Sequence, residues 1–548
     1  MMPIKLPTFR LSFSYFTFLL ALYFALIVNV PVYKELHSIL IQQGEFKVGF
    51  AISLPIFFIA ALNLLFNLFT WPWLGKPFFA LLLVLSSMVS YASFHYGTLF
   101  DYDMMVNIVE TDPSEASSYL SLYSVSWTLM MGIIPAILLF AVKPITDGAL
   151  TRMLLNKLLS MALSIVVIVL IAALYYQDYS SVGRNNSYLK KMLIPTYFVH
   201  SASKLVNTRY LTTPQPYRQL GLDAKQSEQA LQMAEQKPTL LVLVVGETAR
   251  SQNYELNGYD RPTNKYTRNL NVISYQDVSA CGTSTAISLP CMFSYLPRSN
   301  FDRQVANNQD NVLDILKRAE ISQLWLENNG GDKGVANNIE LLTVDRSRQD
   351  RLCNGSTCYD MALLQDFEQN VAKLKGNMLI NMHLIGSHGP TYFQRYPEEQ
   401  RVFKPDCQRA DIENCSVAQI INTYDNTILY TDHVLSETIK KLQALEVRYN
   451  TALIYVSDHG ESLGEGGLFL HGMPYRLAPE YQTKVPLMLW MSPSFAQAKN
   501  INQDCLKASA RQTDLFSHDY IFHSLLSIMD VQTSVYDAQL DLFSSCRT

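Results

Sequence analysis

Asp458 and His459 set a hard carboxylate oxygen beside an imidazole nitrogen, a donor pair that suits Zn2+. They close the apolar run Leu453 to Val456 within TALIYVSDHGE, residues 451–461. Alone, such a pair reads as a strand-end turn with two incidental polar residues. A second stretch of the same design, TLLVLVVGET at 239–248, changes that reading, because its apolar run Leu240 to Val245 ends in Gly246-Glu247. A third run, Met378 to Ile385, leads into GSHGP and offers His388. His471 follows His459 after the loop EGGLFLHG. Two acids and three imidazoles suffice for one closed zinc site and part of a second.

The elements that must position these groups follow from the runs themselves. Each run is apolar without alternation, as in a strand buried on both faces of a parallel sheet. In open α/β sheets the chemistry collects beyond the carboxyl ends of the strands. Candidate strands are 239–245, 322–326, 378–385, 452–457 and 485–491, and a long amphipathic helix covers roughly 421–446. Alternating strands and helices predict an α/β layered domain from about residue 238. Between the first two strands lies CGTSTAISLPC, residues 281–291, where a helix is expected to start near Thr283 to Thr285. A hydroxyl there sits in the positive field of a helix N-terminus, which favours an alkoxide and binds phosphate. The same residue types are also ordinary helix caps. Spacing does not choose among Thr283, Ser284 and Thr285.

The first third of the 548 residues is of a different kind. Uncharged stretches run through 11–33, 48–75, 77–100, 116–142 and 158–177. Each holds the roughly 20 residues needed to cross a bilayer as a helix, giving spans at about 11–33, 48–70, 77–97, 122–142 and 158–177. Lys5, Arg10, Lys76, Lys143, Arg152 and Lys157 lie on one side. The opposite side has Lys34, Lys47 and the loop 101–115, which carries five acids and no Lys or Arg. The basic side is cytoplasmic, so five spans export everything after residue 178. All eight cysteines fall between Cys281 and Cys546, as expected of disulfides in an oxidising compartment. Neighbour pairing gives Cys281–Cys291, Cys353–Cys358, Cys407–Cys415 and Cys505–Cys546. Residues 179–237 form a connector whose Lys190, Lys191, Lys204 and Arg209 mix with Tyr188, Tyr197, Phe198 and Tyr210, a composition suited to the headgroup region. Pro214 and Pro216 mark a short tether. A net charge of −4 implies no polyanion-binding surface and no nucleic-acid partner.

The strings VVGETAR, CGTSTAISLPCMFS, IGSHGPTY, NTYDNT, YVSDHGESLG and LHGMP together resemble the alkaline phosphatase superfamily. Within it the resemblance narrows to the lipid A phosphoethanolamine transferases, including the mobile colistin-resistance enzymes. It implies a membrane domain of five helices (1–178), the connector (179–237) and a periplasmic zinc domain (238–548) of alkaline phosphatase/sulfatase-like type, with a mixed, mostly parallel sheet between helices. It implies zinc bound by Glu247, Thr285, Asp458 and His459, with Thr285 as nucleophile. Asn329, Lys333, Glu461, His388 and His471 are implied around the substrate, the two histidines also as proton-transfer groups and as the place of a second, weaker zinc. The implied donor is phosphatidylethanolamine, the acceptor lipid A, the setting the inner-membrane bilayer and the state a monomer. Some relatives carry cysteines in the loop 328–336, where this chain has Asp332 and Ala336. The alternatives are a related transferase acting on an inner-core sugar or periplasmic glucan, or a phosphate or sulfate ester hydrolase. Cys281-Gly-Thr-Ser-Thr lacks the C/S-x-P-x-R context of sulfatases.

Overall fold

The computed structural model describes residues 9–42, 47–145, 150–213 and 215–547. Lys5 and Pro214, used above for orientation and for the tether, lie outside them. The chain divides into two units, Met1–Met105 with Leu120–Tyr210, and Val106–Tyr119 with Leu211–Thr548.

The first unit is helical. It opens with α1 (Phe13–Val28) and α2 (Val30–Gln42), followed by α3 (Val48–Phe69), α4 (Gly75–Tyr96), α5 (Leu122–Ala141) and α6 (Leu150–Asn185). Among the described residues, α3 to α6 are long and apolar enough to cross a membrane, and α1 with α2 makes a fifth span if counted as one. The sequence predicts an unbroken span at 11–33; the structure bends it by 54°. The break falls at Asn29. Its amide donates to the carbonyls of Phe24 (2.9 Å) and Ile194 (2.6 Å), and its Oδ1 accepts from the Ile194 amide (2.9 Å). Pro31 then sits in the first turn of α2, where its missing N–H leaves no hydrogen bond unmade. The stretch read as 158–177 is the middle of the 36-residue α6, which is kinked at Tyr175 (φ −130°, ψ 18°) and extends through polar residues that no proline interrupts. Asn63 on α3 donates to Ser160 and Ser164 on α6, both at 2.9 Å, joining the two helices by side-chain hydrogen bonds in an apolar setting. The basic and aromatic connector contains α7 (Thr196–Val206).

The second unit is built on a seven-stranded sheet. Its strands are β1 (Thr239–Gly246), β2 (Ile273–Tyr275), β3 (Ser322–Glu327), β4 (Glu340–Thr343), β5 (Met378–His383), β6 (Asn450–Ser457) and β7 (Leu487–Met491). The order is β2-β7-β6-β1-β5-β3-β4. Strands β6, β1, β5, β3 and β4 are parallel neighbours, while β7 runs antiparallel to both β6 and β2. Every residue of β1 and β6 is buried, which is why both read as apolar runs without alternation. Two strands escaped the sequence reading: β2 is only three residues long, and all four residues of edge strand β4 are exposed. The run 378–385 ends as a strand at His383. Ile385 and Gly386 instead give their amides to the buried Asp360 carboxylate, at 2.9 and 3.0 Å. The helices that matter for the site are α8 (Thr285–Met292), α9 (Val417–Ala444) and α10 (Asp519–Ile528). Helix α9 starts four residues before the expected 421, where Ser416 and Gln419 form a capping box. All four expected disulfides are formed, and no cysteine among the described residues is free.

Candidate metal centre and nucleophile

Gly246 and Ser457 are register partners at the ends of β1 and β6, so Glu247 and Asp458 leave the sheet side by side. Two glycines make this edge possible. A Cβ on Gly246 would lie 2.5 Å from the Tyr455 hydroxyl, and one on Gly386 (φ +49°) would lie 2.7 Å from the Glu247 carbonyl. Glu247, Asp458 and His459 each offer a buried ligand atom, and these atoms all lie within 4.8 Å of one another. His459 Nε2 is 3.3 Å from Glu247 Oε1 and 3.4 Å from Asp458 Oδ2. Its Nδ1 donates to the Gly460 carbonyl at 2.9 Å, which fixes the tautomer and aims Nε2 at the carboxylates.

Of the three hydroxyls left open by spacing, one reaches this group. Thr285 is the first residue of α8, and its Oγ1 donates to Glu247 Oε2 at 3.0 Å and lies 3.4 Å from His459 Nε2. Ser284 is the N-cap but its side chain makes no capping bond. Thr283 turns away and donates to the Met473 carbonyl at 2.6 Å.

The electrostatics fit a dication. Burial opposes ionisation of Glu247, yet its hydrogen bond to His459 and the nearby imidazoles hold its carboxyl well below the usual range. Burial and the charge of Glu247 push Asp458 up to about 6. His459 is raised because the two carboxylates outweigh its burial. The Asp458 Oδ2 atom is buried without a hydrogen-bond partner, a costly state that a metal ligand escapes. Two carboxylates, an imidazole and a hydroxyl make a four-donor set of the kind zinc takes.

The other expected residues surround this group in two ways. Asn329 joins it directly, its amide donating to Glu247 Oε2 at 2.5 Å. The His471 ring lies 4.4 Å from that of His459 and 5.8 Å from that of His388, centroid to centroid. His471 Nδ1 pairs with Glu461 Oε2 at 2.9 Å, and Tyr392 donates to the other Glu461 oxygen. Glu461 is therefore engaged on both oxygens, holding His471. Lys333 places its Nζ on the carbonyls of Gly330 (2.9 Å) and Glu110 (3.1 Å). The loop bearing Asn329 and Lys333 is ordered without cysteines: Asp332 accepts from the Ala336 amide at 2.6 Å and from its carbonyl side binds the Val335 amide at 3.0 Å.

Several contributors were missed in the sequence. Glu115 lies 3.2 Å from His388 Nε2, and its charge raises His388 against the effect of burial. Its signal was the acidic loop 101–115, read only for orientation. The Arg395 guanidinium is buried behind His388 and donates to its carbonyl at 2.9 Å. His518, the N-cap residue of α10, braces the Cys281 turn that leads into α8 against β6. Its Nδ1 accepts from the Cys281 amide at 3.1 Å and its Nε2 donates to the Ser457 carbonyl at 2.9 Å. Ser288 adds a bond to the Asp458 carbonyl. Burial, chiefly, lowers His518 to about 4. The folded state thus favours the neutral ring, and its contribution is complete above about pH 6.5 and lost as pH falls toward 4. At full extent this amounts to about 3 kcal/mol. His518→Gln is expected to destabilise the wild-type fold at pH 7 and to cost progressively less down to pH 4.5. Thermal unfolding of both proteins across that range checks it; a difference independent of pH would contradict it.

Comparison with known proteins places these observations in a family. Residues 58–210 match the family model described as phosphoethanolamine transferase EptA/EptB, and residues 239–531 match the sulfatase model. The chain is 35% identical over 531 residues to phosphoethanolamine transferase EptA of Escherichia coli K12, covering 96% of each. It is 34% identical over 494 residues to phosphatidylethanolamine transferase Mcr-1 of Escherichia coli, covering 88% of this chain and 89% of that one. Its structure superposes on the integral membrane lipooligosaccharide phosphoethanolamine transferase A of Neisseria meningitidis with a TM-score of 0.93 and 34% identity, over 98% and 99% of the two chains.

Proposed function

Since this chain belongs to the phosphoethanolamine transferase family, we propose that it moves phosphoethanolamine from phosphatidylethanolamine to a phosphate of lipid A through a covalent phosphoethanolamine-threonine at Thr285. The observation that carries this reading is the Thr285 hydroxyl at a helix N-terminus, 3.0 Å from a buried carboxylate that is itself part of a metal-donor group. Glu247, Thr285, Asp458 and His459 would hold a zinc ion, which when bound lowers the pKa of the hydroxyl and offsets phosphoryl charge.

The chain's own groups then divide the work. In the first step the Thr285 hydroxyl releases its proton to water, its oxygen bonds to phosphorus, the bond to the diacylglycerol oxygen breaks, and that oxygen takes a proton from a histidine. His471, oriented by Glu461 and Tyr392, is poised to hand over a proton from Nε2, and His388 beside Glu115 is a second donor. In the second step a lipid A phosphate oxygen gives any proton back to the histidine and bonds to phosphorus, and the Thr285 bond breaks with its electron pair going to the threonine oxygen. Lys333 has a donor left for the phosphoryl oxygens, where such a transition state carries its charge, and Asn329 holds Glu247 beside them. The membrane unit suits the substrates, because donor and acceptor are both lipids. Each added ammonium offsets a lipid A phosphate and weakens the attraction for polycationic peptides such as polymyxins.

Mass spectrometry of lipid A from a host lacking its own transferases tests the reading. Expression of the chain is expected to add one phosphoethanolamine to lipid A and to raise polymyxin tolerance. Unmodified lipid A beside modified core sugars would transfer the assignment to another acceptor.

A further inference from the structure

Behind the metal edge lies a buried acid–histidine pair that belongs to neither the donor set nor the substrate groups. Glu327 and His383 are register partners at the ends of β3 and β5, and both are buried. His383 Nδ1 donates to Glu327 Oε2 at 2.9 Å, and the same oxygen accepts from the Trp325 indole at 2.8 Å. Glu327 Oε1 accepts the backbone amide of Asn329 at 2.6 Å. On its far side His383 Nε2 meets the Asn329 side-chain amide at 3.1 Å. That amide's remaining hydrogen goes to Glu247 Oε2, as described above.

The chain of contacts is continuous and has one sense. Glu327 fixes the imidazole and the start of the 328–336 loop at once. The imidazole fixes the plane of the Asn329 amide, and the amide fixes one oxygen of Glu247. A buried amide with two acceptors at set positions has a single orientation available. Metal-ligating carboxylates are commonly held by hydrogen bonds from outside the coordination sphere, and losing such a partner typically lowers metal affinity or activity about 10- to 100-fold.

We infer that Glu327 and His383 are positioning residues, which act through the Asn329 amide to set the Glu247 carboxylate for metal binding and for the Thr285 hydroxyl. This rests on the metal reading of the site. The test uses the full chain in detergent, with zinc affinity measured by chelator competition and kcat and KM measured at saturating zinc. The isosteric Glu327→Gln and the truncated His383→Ala are each expected to lower zinc affinity at least tenfold. Each is also expected to lower kcat about tenfold or more with metal restored. His383→Gln, which keeps a donor toward Glu327, is expected to recover part of both losses. Folded variants with zinc affinity and kcat within twofold of wild type would overturn the inference. Loss of fold in both Glu327→Gln and His383→Ala would also overturn it, because the pair would then hold the sheet and not the site. Wild-type protein that takes up no zinc would instead sink the metal reading itself.

Discussion

Thr285→Ala is expected to leave a folded protein that transfers no phosphoethanolamine. Alanine suits the first turn of a helix, and the lost bond to Glu247 is worth about 1 kcal/mol. Removing the nucleophile deletes the reaction path, so the rate should fall by about four orders of magnitude or more. Peptide mass spectrometry of the wild type with donor lipid alone should find the phosphoethanolamine adduct on Thr285. An adduct on Ser284 or Thr283 would displace Thr285 from the role, and lipid A modification by Thr285→Ala would reject the two-step path. Thr283→Ala is the informative neighbour. It loses the bond to Met473, two residues past His471, while the Gly472 amide still reaches the Thr283 carbonyl at 2.8 Å. That variant should retain measurable transfer.

Chelation is expected to abolish activity, and zinc alone to restore it. Elemental analysis should find zinc in the purified wild type. Asp458→Asn should weaken zinc binding by more than about 100-fold, beyond the loss typical of an outer partner. Binding must displace the proton that the two carboxylates favour on His459, so zinc affinity should fall as pH is lowered. Zinc-free wild type with full activity after chelation would refute the metal assignment.

What the sequence revealed, and what it concealed, has a physical pattern. Glu247 and Asp458-His459 were legible because each ends an apolar run that is buried along its whole length, and parallel register carries the two ends to one edge. Cysteine pairs were legible because each joins near neighbours or the chain's last segment. Glu327 and His383 were not, because the expected strand 378–385 ran past His383 and pointed to His388, and the expected strand 322–326 stopped one residue short of Glu327. Nothing in the order of residues shows that the two strands are adjacent. Glu115 was hidden for a different reason: it lies 273 positions before His388, among segments whose composition speaks only of the membrane. Strand β4 has four exposed residues and no buried pattern to read. The bend at Asn29 depends on a backbone 165 residues away. Choosing Thr285 over Thr283 required the direction of each hydroxyl, which spacing does not encode.

The closure of the 328–336 loop by Asp332 has a consequence for how that loop responds to reductant. A loop tied by cysteines waits on an oxidant and on correct thiol pairing, and a reductant unties it. Here the tie is a carboxylate receiving a backbone amide, made as the chain folds and indifferent to thiol chemistry. The segment that carries Asn329 and Lys333 therefore has no disulfide of its own for a reductant to open, although four bridges hold other parts of the domain.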